Sequence, residues 1–277
     1  MAVGTRLHLS MGVSGKDMLP LLEELALAAG REIMDVYARD IEVERKADDS
    51  PVTEADQRAE TVILAGLREA FPDIPCVAEE EISGGRIPDA LGDLFFLIDP
   101  LDGTKEFIAR RGDFTVNIAL IRNGVPDTGV VYAPAQGVLY SGRPGAASQA
   151  AVDDDFQLGE RKAIAVSGAP GGKVRIVASR SHRTAETDEF IANYPDAEIV
   201  SVGSSLKFCL LASGTADLYP RFGRTMEWDT AAGDAVLRAA GGSTRRVDGS
   251  AFVYGKRNQA DEADFANPWF IAEGRAV

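Results

Sequence analysis

The stretch Asp99-Pro100-Leu101-Asp102-Gly103-Thr104 decides how this chain is read. The apolar run 94–98 precedes it and reads as a buried strand. Residues 105–109 behind it can open a short helix. Two carboxylates at a strand end, then a Gly-Thr step into a helix, suit a divalent cation and a phosphate together. Carboxylate oxygens are hard donors, and Mg²⁺ sites combine one or two of them with substrate phosphate. The free N–H groups of a helix start suit phosphate oxygens.

Two further acidic groups stand at predicted element ends. Glu79-Glu80-Glu81 follows a short strand over 74–78, and Asp229 precedes a helix over 230–240 as its N-cap. Each has an ordinary reading by itself: a solvated charge run, a simple cap, and for Asp99-Pro100 a turn start. Together they change the reading, because element-end carboxylates converging on one crevice are what a two-metal phosphate site requires.

Composition narrows the partners. The 277 residues include 43 acidic and 29 basic side chains, a formal net charge of −14. Such a surface repels DNA, RNA and anionic membranes. A small anionic substrate remains admissible where a bound metal inverts the local field. The length suffices for one large domain or two packed lobes. The only cysteines, Cys76 and Cys209, lack metal-ligand or redox-motif spacing and read as buried thiols of a reducing compartment. No run is long enough to span a membrane, so no transmembrane segment is expected. Residues 1–15 lack the apolar core of a signal peptide. The expectation is a cytoplasmic protein with a loose tail over 1–16.

Periodicity places the rest. Helices are predicted over 17–37 and 54–70, the second with Thr53 as N-cap, Glu54 and Asp56 in its first turn, and Pro72 beyond its end. A strand is predicted over 41–45. Strands follow over 114–122, 125–132 and 137–141, with the hairpin signal Asn123-Gly124 between the first two. That signal favours an antiparallel or mixed sheet. Residues 144–159 are small, polar and acidic, and read as a surface excursion and lobe boundary. Beyond it come strands over 162–166, 174–178, 198–202 and 216–219. Helices are predicted over 205–212 and 230–240, the latter stopped at Gly241-Gly242. The division is an α+β half over 17–150 carrying the acidic motifs and an α/β half over 151–277, together one compact catalytic unit.

The motifs resemble those of the inositol monophosphatase superfamily, Mg²⁺-dependent and lithium-sensitive phosphomonoesterases. That family carries a Glu-Glu pair, Asp-Pro-Ile/Leu-Asp-Gly-Thr and Trp-Asp-x-x-Ala-Gly. Here they stand as Glu79-Glu80, as 99–104, and as Trp228-Asp229-Thr230-Ala231-Ala232-Gly233. Pro51-Val52-Thr53-Glu54-Ala55-Asp56 resembles the upstream segment whose Asp supports the catalytic Thr. The resemblance runs from about residue 18 to the end. Lys105-Glu106-Phe107, where simple inositol phosphatases usually carry Thr-Asn-Phe, is similar to the CysQ-type 3'(2'),5'-bisphosphate nucleotidases. So are the segments 112–118, 179–182, 203–207 and 219–221.

The resemblance implies the layered α/β/α/β/α sugar-phosphatase fold with the site between the halves. It implies hydrolysis of adenosine 3',5'-bisphosphate to AMP and phosphate by a metal-activated water. Glu79, Asp99 and the Leu101 carbonyl would hold one Mg²⁺, and Asp99, Asp102 and Asp229 a second. A third would sit near Glu79, giving two or three per site. Glu80 would stand behind these ligands. Thr104, hydrogen-bonded to Asp56, would orient the water, with Glu79 also on the catalytic side. Gly103 and Thr104 would cradle the phosphate. His182, Ser204, Lys207 and Arg221 are the matched candidates for the nucleotide end. An inositol-1-monophosphatase or a fructose-1,6-bisphosphatase is the neighbouring alternative, and a metal-dependent binding or regulatory protein the non-enzymatic one. A haloacid-dehalogenase phosphatase is disfavoured, because its two acids are separated by one residue and Asp99 and Asp102 by two. No nucleic acid polymer is expected as partner, and a homodimer is the assembly left open.

Overall fold

The computed structural model describes residues 15–46, 51–167, 172–179 and 183–274. The first helix, α1 (Gly15–Tyr37), starts two positions ahead of expectation, within the predicted 1–16 tail. The remainder of that tail, 1–14, lies outside the described residues. Leu22, Ala26, Ala29, Ile33 and Val36 recur at helical spacing and are buried. A small antiparallel ladder, β1 (Val43–Arg45) with β2 (Pro51–Thr53), leads into α2 (Glu54–Ala70). Thr53 caps α2 as predicted, and Asp56 closes a reciprocal capping box with it. Next come β3 (Cys76–Ala78) and α3 (Glu79–Ser83), so the acidic run forms one helical turn.

The motif strand β4 (Leu94–Asp102) continues through both aspartates to the short helix α4 (Thr104–Ile108). Phe96 and Ile98 face the α1/α2 side, and Phe95 and Leu97 face the other. A strand covered on both faces must be apolar at successive positions, hence the unbroken run 94–98. The strands β5 (Thr115–Arg122), β6 (Val125–Ala133), β7 (Val138–Arg143), β8 (Ala146–Ala151) and β9 (Lys162–Ala163) follow. They complete a seven-stranded sheet in the order β3-β4-β5-β6-β7-β8-β9, parallel only between β3 and β4. The surface excursion read over 144–159 is corrected here, since β8 lies within it and pairs with β7. The sheet runs to Ala163, and the change of sheet falls between Ala163 and Arg175.

The second sheet comprises β10 (Arg175–Ser179), β11 (Glu198–Val202), β12 (Leu218–Arg221), β13 (Ser243–Arg246) and β14 (Phe270–Glu273), ordered β11-β10-β12-β14-β13. Its helices are α5 (Ala185–Ala192), α6 (Leu206–Ala212) and α7 (Glu227–Ala239). Both α6 and α7 lie between the sheets, sharing one core with Leu97, Val131, Tyr219 and Phe270. On the far face of the first sheet, α1 and α2 share a second core with Ile98, Ile118 and Val130. With α5 against β12, the layers run α/β/α/β/α. Among the described residues both cysteines are free and buried. No described helix is long and apolar enough to cross a membrane.

The seat of α7 depends on two glycines of the first sheet. A Cβ at Gly129 would stand 2.6 Å from the Ala232 carbonyl oxygen, and one at Gly142 would stand 2.6 Å from Val236 Cα. Both obstacles are backbone, so only glycine admits the helix at this depth. The residues predicted to work together therefore come to one place: α7 carries Asp229 from the second half against the sheet that carries Asp99 and Asp102.

Candidate active site

A cavity of about 280 Å³ opens where the two sheets meet, lined by Glu79, Asp102, Thr104 and Asp229 and also by Ser204, Lys207, Arg221 and Arg224. Asp99 lies behind this lining, 1 % exposed. The ladder between β4 and β5 breaks register between Asp99 and Asp102. Asp99 Oδ1 accepts the Leu101 N–H at 3.0 Å, which tightens the chain at the break. Gly103 then takes φ of 97°, a left-handed conformation that glycine reaches without cost, and α4 starts at Thr104.

The acids act on one another. Burial raises the Asp99 carboxyl well above the usual carboxylate range, and the charges of Glu79, Asp102 and Asp229 add to it. Asp229 is pushed up to about 8, by burial first, then by Asp102 and Glu79. Asp102 is raised by burial, which Lys207 and Ser205 partly offset. The last two are partly open to the cavity and otherwise enclosed by protein. Repulsion among buried like charges is relieved by protons or by a cation. An all-oxygen carboxylate set fits a hard divalent ion such as Mg²⁺. The acids are near enough to feel one another, yet among the described residues no three stand close enough to form a finished cation cage.

Glu79 is also tied to Lys46, which the sequence reading missed. Its Nζ donates to Glu79 Oε1 and Glu80 Oε1, both at 2.6 Å. Burial works against its charge, but the two glutamates more than compensate and hold it firmly protonated. The Glu80 backbone N–H donates to Glu60 Oε2 at 2.8 Å, and the Glu80 side chain meets Lys46 beside that of Glu79.

Asp56 and Thr104 meet as expected. Thr104 Oγ1 lies 3.2 Å from Asp56 Oδ1 and 3.3 Å from the Leu101 carbonyl oxygen. The Thr53 N–H and hydroxyl both donate to Asp56 Oδ2 at 2.8 Å. Burial raises Asp56 to about 6, with Thr53 opposing and the charge of Glu79 adding. The local signal was the spacing Thr53-x-x-Asp56, a capping box whose acid points back toward the helix start.

Asp229 is corrected from N-cap to third residue of α7, with Met226 at the cap. Its Oδ2 accepts the Met226 N–H at 2.9 Å, so the helix start aims the carboxylate at the cavity. Behind it, Asn267 Nδ2 donates to the Met226 carbonyl at 2.7 Å, and Glu227 receives the Gly255 and Lys256 N–H groups at 2.6 and 2.9 Å.

The basic side is equally built. Lys207 is 6 % exposed and Arg221 8 % exposed, yet both line the cavity. Lys207 Nζ donates to the Ser204 carbonyl at 2.5 Å, and Arg221 Nη2 to the Arg224 carbonyl at 3.0 Å. Burial lowers Lys207 to about 8 against the attraction of Asp102, with Arg221 lowering it further. Arg221 Nε is buried without a partner. His182 lies outside the described residues, as do its neighbours Arg180 and Ser181.

Comparison with known proteins agrees with this frame. The inositol monophosphatase family model matches residues 16–276. A protein named 3'(2'),5'-bisphosphate nucleotidase CysQ from Escherichia coli (strain K12) is 47% identical over 91% of this chain and 98% of its own length. A protein of the same name from Buchnera aphidicola is 40% identical over 93% of this chain and 94% of its own. Among solved structures, CysQ from Bacteroides thetaiotaomicron superposes with a TM-score of 0.75 at 36% identity, covering 93% of this chain and 97% of that one. An IMPase from Thermotoga maritima superposes with a TM-score of 0.72 at 26% identity, covering 93% and 92%. The fold and the site place the chain in a class, the metal-dependent phosphatases. Within that class it belongs to the inositol monophosphatase family.

Proposed function

We propose that this chain is a Mg²⁺-dependent 3'(2'),5'-bisphosphate nucleotidase that hydrolyses adenosine 3',5'-bisphosphate to AMP and phosphate. The observation that carries this reading is a cavity lined by both charges. Glu79, Asp102 and Asp229 line it with Asp99 behind them, and the buried cations Lys207 and Arg221 line it too. A bisphosphate offers one anion to a metal held by the acids and one to the cations.

Glu79, Asp99, Asp102, Asp229 and the Leu101 carbonyl would hold the metal, two or three ions per site. When bound, Mg²⁺ neutralises phosphate charge and makes a water more acidic. Thr104 donates its hydroxyl proton to Asp56, which leaves its oxygen lone pairs to accept a hydrogen bond from the attacking water and so orient it. Above about pH 6 Asp56 is ionised and keeps that orientation. The Gly103 and Thr104 N–H groups face the phosphate. Lys207 and Arg221 hold the second phosphate, Arg221 by paired N–H donors. Ser204 lines the same wall, and His182 joins them on the family pattern. Both halves contribute to this one unit.

Phosphate release from adenosine 3',5'-bisphosphate, inositol 1-phosphate and fructose 1,6-bisphosphate under Mg²⁺ tests the assignment. The first should give the highest kcat/KM. Arg221→Ala should lower it roughly ten- to a hundredfold, the scale of a charge-assisted contact, and leave inositol 1-phosphate nearly unaffected. Equal losses on both would favour an inositol phosphatase.

A further inference from the structure

Asp102 ends a strand of the first sheet, and Asp229 rides on a helix of the second half. Hydrogen bonds through Asn117 and Ser205 join them, and Ser205 also bonds Asp102 directly. Asn117 on β5 sits opposite Asp99 in the antiparallel register, and its side chain is fully buried. Its Nδ2 donates to Ser205 Oγ at 3.1 Å and to Asp102 Oδ2 at 3.4 Å. Ser205, 2 % exposed at the start of α6, donates its hydroxyl to the Asp229 carbonyl at 2.5 Å. The turn that presents Ser205 is itself fixed across the halves. Ser204 takes φ of 46°, and the Gly203 N–H donates to Asp113 Oδ2 at 3.3 Å.

We propose that Asn117, acting with Ser205, is a positioning residue that sets the spacing of Asp102 and Asp229 for a divalent cation; this rests on the metal-site reading above. The amide's orientation follows from charge. Turned over, its oxygen would face the Asp102 carboxylate, with two acceptors and no proton between them. In the orientation found, Asn117 Oδ1 is buried with no partner. An unsatisfied buried oxygen lowers stability, and an apolar side chain in that place would avoid the loss. The fold alone therefore gives no reason for an asparagine here. Its two donors, reaching a carboxylate and the serine that holds the other acid's backbone, supply one. Side chains that orient metal ligands in this way commonly change metal affinity 10–100-fold when removed.

The test compares Asn117→Ala, Ser205→Ala and the double variant with the unchanged protein. Mn²⁺ binding to the metal-stripped protein is measured by calorimetry, and Tm is measured in EDTA. Half-saturating Mg²⁺ and KM are measured in the phosphatase assay. Mn²⁺ affinity should fall roughly 10–100-fold in each single variant, with half-saturating Mg²⁺ rising in parallel. KM at saturating Mg²⁺ should stay put, and Tm of Asn117→Ala in EDTA should hold or rise. The double variant should cost less than the two singles added together, since the two residues share one network. Unchanged Mn²⁺ affinity in both singles overturns the proposal. So does a loss of affinity matched by a fall in Tm, which assigns a structural role. Should Asn117→Ala not fold, Ser205→Ala decides by the same readings. An unchanged protein that binds no Mn²⁺ would overturn the metal-site reading itself, an outcome distinct from both.

Discussion

Asp99 shows how much one side chain can be asked to do. It is 1 % exposed, faces three other acids, and lies at the register break of its own strand. Replacing it with asparagine keeps the shape and removes the charge. Asp99→Asn should reduce turnover about a thousandfold or more, some 4 kcal/mol of barrier. Its Tm in EDTA should be no lower than that of the parent, because a repelled buried charge has gone. A Mg²⁺ titration of kcat beside a melting curve measures both. Near-parental turnover would remove Asp99 from the site. Lys46 and Asn117 belong to the same scale. Neither lies within a recognisable local motif of acids, and each is defined by what it touches from 33 and 88 positions away.

At the scale of elements, α7 is the part that completes the acid set. It begins with Asp229 in its first turn and packs on β6 and β7 through Gly129 and Gly142. Gly129→Ala places a methyl 2.6 Å from the Ala232 carbonyl oxygen and 2.7 Å from Ala235 Cβ. The helix must lift or the sheet must bend, at a cost of about 1–3 kcal/mol. Because Asp229 moves with the helix, half-saturating Mg²⁺ should rise as well. Urea unfolding and a Mg²⁺ titration read the two effects. A variant with parental stability would show that the helix seat is more yielding than its backbone contacts imply.

For the whole molecule, the acid cluster makes stability depend on pH in an unusual direction. Asp56 is raised to about 6, Glu60 and Glu80 to about 7, and Asp229 to about 8, each mainly by burial. A carboxyl raised on folding gives stability that is fully present below its unfolded value, near 4, and lost as pH rises through the folded value. The metal-free protein should therefore melt at progressively lower temperature from about pH 5 to pH 8. Lys207, lowered to about 8, acts in the opposite sense only above that window. Mg²⁺ competes with the protons, so its stabilising effect should grow with pH over the same range. Melting curves in EDTA and in saturating Mg²⁺ across that range check the sign. A Tm that rises with pH in EDTA would contradict it.

The sequence by itself determined the strand-turn-helix at Asp99 to Thr104, the capped start of α2 at Thr53 and Asp56, and the hairpin at Asn123-Gly124. In each, the deciding forces act within a few residues: an unbroken apolar run, a cap, a positive-φ glycine. Only the tertiary structure decided the rest. The segment Ala146–Ala151 has no large apolar residue to mark it as a strand, and becomes one because β7 offers it an edge. Among the elements that went unread, β14 meets β12 and β13 meets β14, each across a long stretch of chain. Lys46 meets Glu79 across distant segments of the first half, and Asn117 meets Ser205 only where the two halves pack. Such contacts depend on layer spacing and register between distant segments, which no local pattern encodes. That spacing in turn rests on close backbone approach at positions such as Gly129, where the missing side chain matters more than any present one.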